Sequence, residues 1–538
     1  MACAQLNQNA KDWQEDLLFL QKTVHKDYDF LFKKVEAAQF DAEIDKFYQA
    51  IPKLEEHEII VGFTRIVSLF EYGHTAIGLS GWYDRKPIDF DQMPFNLYHF
   101  NDGIYVQGVH KNYQNALGAK VLKVEGVPVE QALKAIRPVV PVENDQYFKA
   151  YGLTYLGTPQ VLHAQRVTKE LKSTVTLTLE RDGNLFDVTF DPFGATKFPG
   201  QYSLIKEEGD WLDARDNSED PLYLKNLDRI YFYEHLPESK SLYVRHSQIQ
   251  DDPEESIPEF YQRVFEFIEN NEVERLVLDV RLNGGGNNYK NKPIVTGIIQ
   301  SEKINQVGKL FVIIGRRTFS ACQNLVNELD NYTEAIFVGE PTSENINFFG
   351  DNRRIELPNS KVPVRLSFAW WQDKPQWENA DWLAPHLAVD MSFEEYRTNQ
   401  DPVLETVLNF SDDNFIIDPI QHLTELFEAG KFQVLEAEAN QMVNDPAYRF
   451  IDFNSQFNRA GYSLLGGGKV QEAIYVFELN TKLFPDSANA WDSLAEGFWK
   501  ADQTEKAIQY YNKAIEMDPE GPTGDNARNM LKEIARGH

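Results

Sequence analysis

The sequence predicts a mixed α/β core between helical regions, and three observations lead to this prediction. Apolar residues recur at helical spacing from Asp12 to Phe70. Helical and strand patterns then alternate from Tyr223 to Leu408, which favours a layered α/β structure. From residue 416 onward the patterns are helical again. We therefore expect an α/β core with a helical domain on each side of it along the chain.

The composition fits a multidomain protein with an acidic surface. Its 538 residues exceed what one hydrophobic core usually holds, and 42% of them are hydrophobic. The 53 Lys and Arg residues against 83 Asp and Glu residues give a formal charge of −30, which disfavours binding to nucleic acid or anionic membranes. No apolar run is long enough for a transmembrane helix. Cys3 and Cys322 are far apart and lack metal-ligand spacing. The sequence implies neither a metal nor an organic cofactor.

Changes of pattern along the chain predict its domain boundaries. The helical region ends in an element around His74, and a β-rich region follows in which Arg181-Asp182-Gly183 is the turn of a strand pair. Within that region, the run from Ala119 to Val129 resembles the later half of a PDZ-like module. In chain order the predicted domains are helical (1–80), β-rich and PDZ-like (81–200), α/β (201–410) and all-helical (416–538).

The C-terminal region carries an internal repeat. Small, aromatic and proline positions recur at a period of about 34 residues, the tetratricopeptide period. The first repeat contributes Ala460, Ala473, Phe477 and Pro485, and the second contributes Leu494, Ala507, Tyr511 and Pro519. We expect stacked helix pairs that bury a shared face and offer a binding surface for a protein partner.

Two strand patterns are each followed by residues that suit acyl transfer. The first ends at Asp279 and precedes three glycines, whose backbone N–H groups no side chain obstructs. The second precedes Ser320, at the point where a helix can begin. We expect the N–H groups of Gly285 or Gly286 and of Ala321 to form an oxyanion hole beside a Ser320 nucleophile.

An ordered set of segments carries a resemblance to a known family. In chain order they are Leu278–Gly286, Thr318-Phe319-Ser320-Ala321, Gly339-Glu340-Pro341-Thr342, Leu357-Pro358-Asn359-Ser360 and Asp401-Pro402-Val403-Leu404. The chain resembles the tail-specific, tricorn-core-like serine peptidases, which include the C-terminal processing peptidases, over residues 10–410. The resemblance implies a crotonase-like α/β core.

The resemblance also implies a catalytic group. The processing-peptidase branch places a lysine soon after its Gly-Glu-x-Thr element, but residues 343–347 contain none. The tricorn-like branch uses a histidine from a Gly-His-Thr element, matched by His74, and a glutamate well after the serine, matched by Glu378. Ser320 is thus predicted as nucleophile, His74 as general base and Glu378 as the carboxylate that orients or tunes the site. Imidazole titrates near the working pH and can accept the proton that a serine must lose.

Two residues depart from the family pattern. Many members carry an acidic residue two positions before the histidine, whereas this chain has Tyr72. A carboxylate beside the site must then come from elsewhere in the chain. Phe319 replaces the small residue that often precedes the nucleophile. We expect it to narrow or redirect a nearby pocket.

Asp279, Arg281 and Asn283 are expected to satisfy buried groups around the glycine turn.

These inferences favour a serine peptidase that acts on peptides or unfolded proteins. Three alternatives remain open from the sequence: a non-catalytic binding protein on the same fold, an adaptor working through its repeats, and a crotonase-like acyl-CoA enzyme. Family habit and the short opening Met1 to Gln5 suggest an exported protein, periplasmic or associated with the cell envelope, with most of its signal absent.

Overall fold

Two units make up the chain in the computed structural model, which describes residues 9–79, 87–88, 90–193, 199–216, 219–375, 380–411 and 415–536. The first unit runs to residue 385 and includes 389–411. The second comprises 386–388 and the chain from 412 onward. The predicted mixed α/β class with a C-terminal helical region is confirmed. The four-part domain division stays a prediction.

The first unit begins with helices α1 (Ala10–Asp27), α2 (Ala37–Ala50) and α3 (Glu56–Ser68). Asn9 starts α1, because its side chain accepts hydrogen bonds from the backbone N–H groups of Lys11 and Asp12. The apolar faces of these helices form a continuous core, and α3 is buried along most of its length. The chain leaves α3 for the loop that carries His74, so this loop starts from a rigid helix end.

An antiparallel sheet follows, with short helices inserted between its strands. Its strands lie in the order β1-β2-β3-β5-β6, with β4 beside β3 and β9 beside β2, while β7 and β8 pair with each other. The turn between β5 and β6 contains Asp182 and Gly183, both at positive φ, as a tight hairpin requires. The bounds are β1 (Phe95–Phe100), β2 (Gly103–His110), β3 (Lys120–Val124), β4 (Val127–Pro128), α4 (Val129–Ile136), α5 (Asp145–Tyr147), α6 (Pro159–Ala164), β5 (Val175–Arg181), β6 (Asn184–Phe190), β7 (Gly200–Gln201), β8 (Leu204–Ile205) and β9 (Trp211–Asp213).

A second, mostly parallel sheet carries the strand ends singled out in the sequence. Its strands lie in the order β10-β11-β12-β13-β14, and every pair except β10 with β11 is parallel. Buried side chains of the helices cover it and form one hydrophobic core with it. The bounds are β10 (Tyr231–Leu236), β11 (Ser241–His246), α7 (Ile257–Asn270), β12 (Arg275–Asp279), α8 (Lys292–Gln300), β13 (Leu310–Ile314), α9 (Ala321–Tyr332) and β14 (Ile336–Gly339).

A long hairpin and two short helices complete the first unit. The hairpin pairs β15 (Phe348–Glu356) with β16 (Pro363–Trp371), and the helices are α10 (Phe393–Arg397) and α11 (Pro402–Leu408). An isolated bridge between Ala76 and Arg365 ties the His74 loop to β16. The hairpin therefore fixes the loop that carries the predicted base.

The second unit is almost entirely helical. Ala473 and Ala507, and likewise Phe477 and Tyr511, are fully buried, so these equivalent positions of the predicted repeat share a packing role. Ala460 is exposed although its counterpart Leu494 is buried. The bounds are β17 (Leu387–Ala388), α12 (Pro419–Glu428), α13 (Phe432–Asn444), α14 (Phe453–Gly466), α15 (Val470–Leu483), α16 (Ala488–Lys500), α17 (Thr504–Met517) and α18 (Pro522–Arg536). Among the described residues, no helix combines the length and apolarity needed to cross a membrane.

Candidate active site

The loops that follow three neighbouring parallel strands meet at one edge of the second sheet. The glycine turn follows β12, Ser320 follows β13 and Glu344 follows β14. Because the carboxyl ends of parallel strands lie on the same edge, residues far apart in sequence come together there. This topology brings the two strand ends predicted for acyl transfer to a single place.

Ser320 occupies a strained turn immediately before α9. Its φ of 58° and ψ of −129° lie in a region that side-chain-bearing residues rarely adopt. Cys322, two residues later, is fully buried, and burial raises the pKa of its thiol well above the usual value. The serine is partly accessible whereas the neighbouring thiol is shielded, which agrees with Ser320 as the reactive residue.

The glycine turn packs directly against this serine. A Cβ added to Gly285 would lie 2.6 Å from the Cβ of Ser320 and 2.9 Å from the backbone nitrogen of Ala321. Gly285 also has a φ of +95°, so only glycine suits this position. Asn283 holds the turn in place, because its Oδ1 accepts from Gly285 N–H at 2.9 Å and its Nδ2 donates to the carbonyl of His246 at 2.9 Å.

The N–H groups in the turn are not equivalent. That of Gly285 is engaged with Asn283, whereas those of Gly286 and Ala321 have no hydrogen-bond acceptor among the residues that the structure describes. Of the three predicted oxyanion-hole residues, the latter two are therefore available to a ligand in this conformation. Asn283 has the structural role predicted for it.

The predicted role of Asp279 and Arg281 is also structural. The guanidinium of Arg281 lies 2.8 Å from Asp279 and donates to both carboxylate oxygens of Asp401, at 2.9 and 3.0 Å. All three side chains are almost completely buried. This buried network connects the start of the glycine turn to the start of α11.

His74 faces Ser320 with its Nε2 atom 3.0 Å from the serine Oγ. Two aromatic rings lie nearly parallel to the imidazole, with centroids 4.7 Å away for Phe319 and 6.1 Å away for Phe348. The next residue, Thr75, shares a hydrogen bond of 2.8 Å with the hydroxyl of Ser367 on β16. The imidazole is thus packed against aromatic rings, and the residue that follows it is tied to β16.

The carboxylate beside His74 is Glu344, a residue to which the sequence analysis assigned no role. Its Oε1 lies 3.0 Å from His74 Nδ1, an ion-pair distance, although the two are not aligned for a hydrogen bond. Its Oε2 accepts a hydrogen bond from the backbone N–H of Ser320. The predicted carboxylate, Glu378, lies outside the described residues. One buried glutamate therefore links the base to the backbone of the proposed nucleophile.

A second buried carboxylate, Glu143, lies behind this pair. It comes from the segment before α5 and accepts backbone N–H bonds from Gly73 at 2.7 Å and from Asn345 at 3.0 Å. It supplies the nearby carboxylate that Tyr72 cannot provide. No local pattern marks Glu143 in the sequence. Glu344 had one usable signal, because it follows the Gly339–Thr342 element at about the place where the family carries its lysine.

Burial dominates the electrostatics of this cluster. It lowers the pKa of His74 below the usual 6.5, although the charges of Glu143 and Asp351 oppose the shift. It raises the pKa of Glu344 well above 4.5, and together with the charge of Glu344 it raises the pKa of Glu143 to about 7. A neutral imidazole is therefore favoured at neutral pH, which is the form that can accept a proton.

The same cluster can be tested as a metal site. Ligand atoms of His74, Glu143 and Glu344 lie within 4.8 Å of one another. A zinc ion would require ligands at about 2.0–2.2 Å. Both oxygens of Glu143 and one of Glu344 already accept backbone N–H bonds, however. These residues are therefore better suited to fixing the backbone of the surrounding loops than to binding a metal ion.

Solved structures resemble the chain, whereas no family model and no curated protein matches it. Mature CPAF superposes with a TM-score of 0.51 at 12% identity, covering 76% of this chain and 99% of that one. The likeness is one of fold. A mutant of CPAF matches with the same TM-score and coverage at 11% identity. The photosystem II D1 C-terminal processing protease matches with a TM-score of 0.35 at 14% identity, over 74% of this chain and 98% of that one. The likeness to mature CPAF confirms, at the level of fold, the resemblance inferred from sequence.

Proposed function

We propose that this chain is a serine-type peptidase that hydrolyses peptide bonds in peptides or unfolded proteins. A single arrangement carries the proposal: Ser320 Oγ lies 3.0 Å from His74 Nε2, and His74 Nδ1 lies 3.0 Å from Glu344 Oε1. A nucleophile, a base and a carboxylate in this order have the geometry of a catalytic triad, whatever their order along the chain.

In the proposed reaction, His74 takes the proton of Ser320 as its oxygen attacks the scissile carbonyl carbon. The imidazolium then gives this proton to the leaving amine, and an acyl-enzyme remains on Ser320. Water, deprotonated by the same imidazole, hydrolyses the ester and restores the serine. The carboxylate of Glu344 favours the tautomer of His74 that carries its proton on Nδ1. It also stabilises the positive charge that His74 carries during each proton transfer.

The oxyanion that forms on the carbonyl needs hydrogen-bond donors. The N–H groups of Gly286 and Ala321 suit this role, because neither has an acceptor among the described residues. Ala321 directly follows Ser320, and Gly286 directly follows Gly285, the glycine that lies against the serine. Losing one such donor typically costs about 2.7–4 kcal/mol of transition-state stabilisation. Gly285 contributes by allowing the turn to approach the serine, while its own N–H donates to Asn283.

The finer assignments from the sequence remain part of this proposal. They comprise the crotonase-like core, the PDZ-like character of residues 81–200 and the tetratricopeptide character of residues 416–538. We infer that the β-rich region or the repeats recruit substrate or a protein partner. Export to the periplasm or cell envelope, and a tuning role for Glu378, also stay predictions.

The proposal is tested by incubating the protein and its Ser320→Ala variant with a diverse mixture of unfolded peptides. New termini are identified by mass spectrometry, and a fluorophosphonate probe reports a reactive serine. We expect cleavage and labelling at Ser320 in the parent and neither in the variant. Equal cleavage by both proteins, or no cleavage and no labelling of the parent, would overturn the proposal.

A further inference from the structure

The carboxylate of Glu143 holds the chain on both sides of the proposed proton relay. Its Oε1 accepts from the N–H of Gly73, which precedes His74, and its Oε2 accepts from the N–H of Asn345, which follows Glu344. The two segments are separated by more than 250 residues in the sequence. A single side chain thus fixes the backbone next to the base and next to its carboxylate.

The residues next to Glu143 and Glu344 reinforce this connection. The side chain of Asn144 donates to the carbonyl oxygens of Thr342 and Asp381, at 3.2 and 2.7 Å. The side chain of Asn345 donates to the carbonyls of Glu143 and Asp381, at 3.4 and 3.0 Å. These hydrogen bonds are buried or partly buried, where they are stronger and costlier to leave unmade than in water. The Glu143 segment is therefore firmly joined to the Glu344 loop.

On the histidine side of Glu143, the packing around Gly73 leaves no space for a side chain at this position. A Cβ on Gly73 would lie 2.3 Å from the ring of Tyr147, and the hydroxyl of Tyr147 donates to the Gly73 carbonyl at 3.3 Å. Tyr147 belongs to the helical turn that follows Glu143. The Glu143 segment thus contacts the histidine loop through both its carboxylate and this ring.

We propose that Glu143 is a positioning residue, which sets the spacing of His74 from Glu344 for the peptidase reaction. The proposal rests on the function proposed above. It assigns a role to a residue that acts through the backbone beside His74 and Glu344. The expected benefit is kinetic, since a displacement of about 1 Å in a catalytic group can cost about 100-fold in rate.

The charges around Glu143 bear on the pH dependence of the reaction. Glu344 and His74 face it most closely, with Lys34 acting on both carboxylates and Asp351 acting on His74. A charged Glu143 raises the pKa of His74, but Glu143 has a pKa of about 7 itself and is mostly protonated below pH 6.5, where His74 takes up its proton. Replacement of Glu143 by glutamine should therefore leave the acid limb of kcat/KM nearly in place, and its effect should appear in kcat.

The test compares Glu143→Gln with the parent protein in peptide hydrolysis. We expect kcat to fall by about 10- to 100-fold with KM nearly unchanged, because the NH2 group of glutamine cannot accept the second backbone N–H and the loops shift. The acid limb of the pH profile should stay in place. Glu143→Asp keeps two acceptor oxygens on a shorter side chain, so it should also lower kcat while leaving KM and the acid limb nearly unchanged.

Asp16→Asn is the matched control for simple loss of stability. Asp16 is also fully buried, and its two oxygens accept the N–H groups of Asn359 and Ser360, both at 2.8 Å, away from the site. We expect this variant to lower the melting temperature without changing the acid limb or kcat at a temperature where it is folded. If Glu143→Gln is unfolded, the Glu143→Asp variant provides the same comparison through kcat.

Three outcomes decide the matter. Loss of kcat with nearly unchanged KM in the folded Glu143 variants, well beyond any loss in Asp16→Asn, supports the proposal. Unchanged kcat, or a loss of kcat no greater than that of Asp16→Asn, overturns it. An inactive parent that does not label at Ser320 overturns the proposed function itself, and the role of Glu143 with it.

Discussion

The imidazole of His74 lies face to face with the ring of Phe319, with centroids 4.7 Å apart and planes 15° from parallel. Phe319 directly precedes Ser320, so the residue beside the proposed nucleophile also supports the proposed base. Tyr147 and Tyr151 pack against the same phenylalanine, with centroids at 5.6 and 6.1 Å. The sequence suggested that Phe319 changes a substrate pocket, and the structure adds that it positions the imidazole.

Replacement of the Phe319 ring should lower kcat while the protein still folds. We expect Phe319→Leu to lower kcat by about 2- to 12-fold, since an aromatic pair is worth about 0.5–1.5 kcal/mol. Phe319→Tyr keeps the stacked ring and serves as the control. Steady-state kinetics on one peptide substrate measures both variants. A Leu variant with the parent's kcat would show that the stacking does not matter.

Glu344→Gln should have a far larger effect through the tautomer of His74. The glutamine oxygen can still accept from Ser320 N–H, which leaves its NH2 group facing Nδ1. The ring proton would then move to Nε2, where it prevents acceptance of the serine proton. In the known triad of this kind the corresponding change costs about 10⁴-fold in kcat.

We expect a loss of at least about 10³-fold for Glu344→Gln, measured as kcat with KM little changed. Glu340→Gln is the control on the same loop, because Glu340 is a largely buried carboxylate that pairs with Arg316, whereas Glu344 pairs with His74. It should lower the melting temperature while activity is retained. Comparable losses of activity in both variants would contradict the assignment of Glu344.

Gly285→Ala should displace Ser320. The added methyl group would lie within 2.9 Å of atoms of Phe319, Ser320 and Ala321, at a φ of +95°. We expect kcat to fall by about 100-fold, as for a catalytic group displaced by about 1 Å. Gly183→Ala is the matched control, because Gly183 also has positive φ but has open space around it.

Both alanine variants should lose about 1–2 kcal/mol of stability from backbone strain. Only Gly285→Ala should also lose activity, which separates the effect of strain from that of contact with the serine. Thermal unfolding and steady-state kinetics on the same preparations provide the comparison. Full activity of Gly285→Ala would place the reacting serine elsewhere.

The pH dependence of the parent should show a base that stays neutral under mildly acidic conditions. Because burial lowers the pKa of His74 below 6.5, the base loses activity by protonation only below that pH. We therefore expect kcat/KM to remain high at pH 6.5 and to fall as the pH is lowered further. An acid limb centred above 6.5 would contradict the buried setting of His74.

Local pattern in the sequence was enough to locate the elements and part of the site. The apolar runs before Asp279 and Ser320 predicted β12 and β13, which the structure places at Arg275–Asp279 and Leu310–Ile314. The Gly73-His74-Thr75 element, through its resemblance to the family, singled out His74, whose Nε2 lies 3.0 Å from the serine hydroxyl. These features could be recognised locally, because strand periodicity and glycine turns depend on residues that are neighbours in the sequence.

The tertiary structure determines which carboxylates lie beside His74 and Ser320. The chain contains 83 Asp and Glu residues; no local pattern distinguishes Glu143, and Glu344 is marked only by its place soon after the Gly339–Thr342 element. Their roles follow from contacts over long sequence separations, set by the parallel order of β12, β13 and β14 and by the packing of the Glu143 segment. The sequence by itself thus determined which residues could form a nucleophile, base and oxyanion turn. Only the tertiary structure decided which buried carboxylates join them, because burial and proximity depend on how distant segments pack.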